Sequence, residues 1–141
     1  MSVTRFLRLG AEGAEQPAIE LDDGTVRDLR SVTRDIDGAF LVAGGLIHAR
    51  RIASSLPILD NTARVRVGSP IARPQAVVCI GQNYAAHAAE SVDWEIELGV
   101  VIGRRARYIV SEGVALDYIA GLRVSHDVSE RHAQLEISGG Q

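Results

Sequence analysis

The stretch ESVDWEIELGVVIGRR, residues 90–105, sets Asp93, Glu95 and Glu97 at every second position of an otherwise apolar run. Successive side chains of a β-strand point to opposite faces, so the three acids form one row and Trp94, Ile96 and Leu98 the other. Two readings follow. An antiparallel strand with one wet face needs no more than such a polar row. Alternatively, Glu95 and Glu97 converge on a cation, because like carboxylates held close on a rigid strand repel unless they share a proton or a metal. All-oxygen donors favour Mg2+, Mn2+ or Ca2+ over zinc.

Working outward, VSHDVSER (124–131) offers Asp127 at a strand exit, flanked by His126 and Ser129. An aspartate there can be a cap or turn former, or it can complete an open carboxylate triad with Glu95 and Glu97. On the other side, NYAAHAAE (83–90) reads as a short helix capped by Asn83, with His87 and Glu90 three apart on one face. Such a pair is either an incidental feature of a wet helix face or an imidazole oriented by a carboxylate, poised as a general base near neutral pH. Cys79 sits in an apolar run and reads as core. Gly81 and Gly139-Gly140 mark turns, and GRRAR (103–107) is a solvated strand end or an attractor of anions.

Composition narrows the function classes. The chain has 141 residues, is 46% hydrophobic and carries a net charge of −3. That is enough for one domain, or for a small domain leading into part of a larger one. Acids and arginines alternate without a basic stripe, which argues against nucleic acid as a partner. No apolar run approaches the ~20 residues that span a bilayer, so no membrane partner is expected. A lone cysteine and the lack of a signal-like segment point to a cytoplasmic location.

The element pattern predicts an α+β, β-rich fold. TRFLRL, PAIEL and DDGTVRDL read as short strands, with Asp23-Gly24 as a two-residue hairpin signal. GGLIHARRIASSL (44–56) reads as a helix, and residues 57–74, with Pro57, Pro70 and Pro74, as a connector around one short strand. QAVVCIG (75–81) reads as a buried strand, DWEIELGVVIG as another, SEGVALDYIAG (111–121) as a helix from Ser111 to Gly121, and LRVSHDVS as a last strand. Two domains are expected, 1–70 and 71–141.

Taken together, VVCIGQNYAAHAAE, VDWEIELGVVIGRRAR, ALDYIAG and SHDVSERHAQLE resemble successive motifs of the fumarylacetoacetate hydrolase family, in its bacterial isomerase-, hydratase- and decarboxylase-like branch. The resemblance implies a small N-terminal β domain, a mixed β-sheet barrel or roll behind it, and a homodimer. It implies that Glu95, Glu97 and Asp127 hold Mg2+ or Mn2+, that His87 and Glu90 form a dyad in a lid, and that Gln134 and Arg131 contact substrate. The reactions it implies are C–C bond hydrolysis, decarboxylation or keto-enol isomerisation of a small oxo acid or dicarboxylate, as in 2-hydroxyhepta-2,4-diene-1,7-dioate isomerases of aromatic catabolism. There the cation would chelate paired substrate oxygens and stabilise a developing enolate, while His87 activates water or shuttles a proton.

The sequence departs from that pattern in two ways. VVCIGQN offers no acid before the dyad histidine, where fumarylacetoacetases proper carry a further metal-binding aspartate. Only Ser91 separates Glu90 from Val92, where the family has a sizeable insert containing much of the lid. The motifs that follow in the family are not found after SGGQ. The alternative expectation is therefore a catalytically incomplete, metal-binding fragment or remnant of such an enzyme.

Overall fold

The computed structural model describes residues 4–79 and 92–130, with side chains from residue 96 to residue 128 in the second stretch. The chain divides into two compact units, Met1–Gln75 with Ile102–Ala120, and Ala76–Val101 with Gly121–Gln141. Short helices and antiparallel sheet make up an α+β chain.

The first unit is built on a three-stranded sheet in the order β1-β2-β3, with β1 at Arg5–Leu9, β2 at Gln16–Glu20 and β3 at Val26–Asp28. Both pairings are antiparallel, with Phe6 opposite Ile19 and Ala18 opposite Asp28. As the central strand, β2 buries Pro17, Ala18 and Ile19 in succession. Ile19 joins Leu29, Ile36, Phe40, Ala49, Ala53 and Leu56 in one apolar cluster, while Ala18 packs with Leu9 and Val26 in a second. The alternation of the strand thus feeds two cores.

Two helices close over the larger cluster, α1 at Gly38–Val42 and α2 at Gly45–Ile52. Asp37 caps α1 by accepting a hydrogen bond from the Phe40 amide at 3.0 Å. The helix expected at 44–56 is α2 followed by a 3-10 turn at Ala53–Ser55.

Several expectations are corrected. The Asp23-Gly24 turn is a three-residue loop, because Leu21 and Thr25 close it and Gly24 adopts a positive φ of 79° while donating to the Leu21 carbonyl. A type I turn ending in a left-handed glycine fits the strand twist as well as the two-residue turn does. The connector contributes no strand, only single bridges at Leu9↔Val67 and Arg27↔Ile58. In the expected strand at 75–81, the described residues 75–79 have no strand structure; Val77 and Val78 are exposed, and so is Cys79, which was expected in the core. A β-branched run becomes a strand only when a neighbour takes its amides, and here none of the described residues does. The helix expected over 111–121 shrinks to α3, Glu112–Ala115, and a 3-10 turn at Leu116–Tyr118. Gly121 is not its stop but lies within a strand.

That strand, β5, spans Ile119–Glu130 and pairs with β4, Val92–Ile102, in a separate two-stranded sheet. It starts three residues earlier than the expected LRVSHDVS.

Candidate functional site

The site expected from sequence rests on the pairing of β4 and β5. Gly103 donates to the Tyr118 carbonyl at 2.9 Å, and a Cβ placed on Gly99 would lie 2.7 Å from Cγ of Arg123. Partner numbers fall along β5 as they rise along β4, so the pair is antiparallel. β5 is one residue longer than β4, and its exposure alternates from Gly121 to Val128 but not over Ile119–Gly121.

Glu97, Ser125 and Asp127 are all half-buried and alternate with exposed neighbours along both strands, so they share the less exposed face of the sheet. Among the described residues no group of three or more His, Cys, Asp or Glu side chains is assembled as a metal site. The expected triad includes the side chain of Glu95, which lies outside the described residues, as do His87, Glu90, Arg131 and Gln134.

Two residues on the same face were not singled out from sequence. Arg123 and Ser125 stand in the row of Asp127, and the absence of a side chain at Gly99 lets the aliphatic stem of Arg123 lie close over β4. The signal was available, since period two in LRVSHDVS puts residues 123, 125 and 127 together. The GRRAR segment carries two cation–π pairs, Arg104 over Tyr118 at 4.3 Å and Arg107 over Tyr108 at 4.7 Å.

The strongest charge cluster is structural and belongs to the first unit. Arg8 grips Asp35 with two hydrogen bonds, 2.6 Å from Nε and 3.0 Å from Nη2, and also reaches Glu15 at 3.3 Å and the Ser69 carbonyl at 3.2 Å. Burial pushes the Asp35 carboxyl up, but the hydrogen bonds from Arg8 and the Ile36 amide and the charges of Arg8 and Arg73 outweigh it, and the net shift is downward. The Arg66 hydrogen bond lowers Glu15, and the Arg30 hydrogen bond lowers Asp28. Arg8, in turn, is raised by its hydrogen bond to Asp35.

Residues 51–140 match the family described as Fumarylacetoacetate (FAA) hydrolase C-terminal. Proteins from Burkholderia lata and Burkholderia multivorans, both bearing the name "Putative hydrolase", are 36% identical to this chain, and the alignments cover 96% of it. A similarly named protein of Burkholderia cenocepacia is 35% identical over the same share. The chain spans 59% of the length of these relatives. The alignments run over 169 positions, 28 more than the 141 residues of the chain, so the relatives carry at least that many residues at internal positions where this chain has none.

Proposed function

The chain belongs to the fumarylacetoacetate hydrolase family, and from that premise we propose that it is a divalent-cation-dependent enzyme acting on a small oxo acid or dicarboxylate. What supports the reading is the family membership together with the pairing of β4 and β5 in one sheet, where Glu97 and Asp127 are both half-buried. Carboxylates alone fit a hard cation, Mg2+ or Mn2+ before Ca2+, and Glu95, Glu97 and Asp127 would hold it. Such a cation supplies Lewis-acid stabilisation of negative charge on a substrate oxygen.

The remaining steps fall to the chain's own groups. Glu90 orients His87, which takes a proton from water or from the substrate carbon and returns it later. Gln134 and Arg131 hold the substrate's polar groups, and Arg123, on the same face as Glu97 and Asp127, draws its carboxylate in. C–C bond hydrolysis, decarboxylation and keto-enol isomerisation all fit these roles, and a place in aromatic catabolism follows from the resemblance. The proposal extends to a barrel-like catalytic domain after an N-terminal domain, a homodimer, and a cytoplasmic location. Among the described residues no helix is long and apolar enough to cross a membrane.

The test is turnover of oxaloacetate and of an acylpyruvate by the full chain before and after chelation. Activity should vanish with chelator, return with Mg2+ or Mn2+, and fall by about 10²–10⁴ in His87→Ala. Turnover indifferent to chelator would refute the mechanism. A second reading, a metal-binding remnant without turnover, is favoured by the 28 or more alignment positions that this chain lacks. Cation binding with no turnover of either substrate would select it.

A further inference from the structure

Gly99 is matched to one particular neighbour. A Cβ there would fall 2.7 Å from Cγ and 3.3 Å from Cδ of Arg123, with the Arg123 carbonyl oxygen at 3.5 Å. Glycine keeps that lane open, and the arginine stem lies across β4 in it. The Arg123 Nε donates to the Val124 carbonyl at 3.2 Å, which fixes where the guanidinium stands. Arg123 is half-buried in the row of Ser125 and Asp127, and Gly99 in the row of Glu97, so the guanidinium shares the less exposed face with both acids. Among the described residues of β4 and β5, no other arginine or lysine is present.

We propose that Arg123 sets the substrate class at this site: it binds a second carboxylate, at the end of the substrate away from the cation, and so favours a diacid over the monoacid of equal length. The inference rests on the cation reading above and deepens it. Cα atoms four apart on one strand are separated by roughly 13 Å, so a cation beside Asp127 and a carboxylate on Arg123 stand a short carbon chain apart. A guanidinium carries five N–H donors in a planar fork, so the bond from Nε holds it in place while other donors meet both oxygens of a carboxylate. A lysine would bring the charge without the fork.

Calorimetric titration of the full chain in Mn2+ compares 2-oxoglutarate with 2-oxovalerate and L-malate with L-2-hydroxybutyrate, each pair differing only in the remote carboxylate. In at least one pair the diacid should bind at least about tenfold tighter. Arg123→Leu should erase that preference by weakening the diacid alone, and Arg123→Lys should keep part of it. Gly99→Ala, which pushes the stem aside, should also weaken the diacid. Mn2+ affinity should hold in all three variants, which shows in addition that they fold. A wild type without the preference, or a preference that survives Arg123→Leu, overturns the assignment while the cation site stands. Equal loss of diacid, monoacid and Mn2+ in both Arg123 variants makes the residue a counter-charge for the acids and overturns the assignment too. A chain that takes no Mn2+ yet prefers the diacid through Arg123 refutes the cation reading instead, and one that binds neither metal nor acid refutes both.

Discussion

Gly45, the first residue of α2, shows how a single hydrogen can hold a core together. A Cβ there would fall 2.2 Å from two ring carbons of Phe40 and 2.6 Å from its carbonyl oxygen. Phe40 is itself buried in the larger cluster, so neither the ring nor the backbone has room to yield. Gly45→Ala, an improvement by helix propensity, should instead cost about 2 kcal/mol in denaturant unfolding. An unchanged midpoint would mean that Phe40 can rotate away. Arg8 is the second such residue. Removing it leaves Asp35 and Glu15 facing each other without their shared partner, so Arg8→Leu should destabilise by about 3 kcal/mol. Neither role was legible beforehand: a Gly-Gly pair reads as a helix start, and an arginine in a short strand reads as an exposed one.

At the scale of elements, legibility followed how local the determinant was. The three N-terminal strands and α2 could be read because alternation and helical spacing are written within a few residues. The strand at β4 was also legible, and in it Glu97 alternates with the exposed Ile96 and Leu98 as period two requires. What failed were segments whose state depends on a partner. QAVVCIG has the composition of a buried strand, yet its described residues lie exposed and unpaired in any ladder. The helix ending at Gly121 gave way at Ile119 because β4 offers that segment a strand partner. Pairing with a strand distant in sequence overrides weak helix propensity. Arg123 was passed over although period two sets it in the row of Ser125 and Asp127; what is not local is Gly99, whose missing side chain leaves room for its stem.

At the scale of the whole chain, the carboxylates of the first unit set its response to acid. Asp23, Asp28, Asp35 and Glu15 all titrate below their ordinary range, held there by the Thr25 amide, Arg30, Arg8 and Arg66. A carboxylate depressed on folding contributes stability above its unfolded value, and that contribution is lost as pH falls toward the folded one. Unfolding free energy should therefore be level from about pH 8 to 5 and decline below about pH 4. Thermal unfolding across that range checks it. Asp35→Asn should flatten the decline while lowering the plateau, and a stability maximum below pH 4 would reverse the sign assigned to these groups.

Family membership and the half-buried acids of the β4–β5 sheet meet in one proposal, that Glu95, Glu97 and Asp127 hold a cation. Electron paramagnetic titration with Mn2+ reads that site directly, with no substrate and no assumption about turnover. One Mn2+ should bind per chain, be displaced by Mg2+, and bind at least about tenfold more weakly in Asp127→Asn and in Glu97→Gln. Stoichiometric binding that neither substitution alters, or no binding at all, would contradict it.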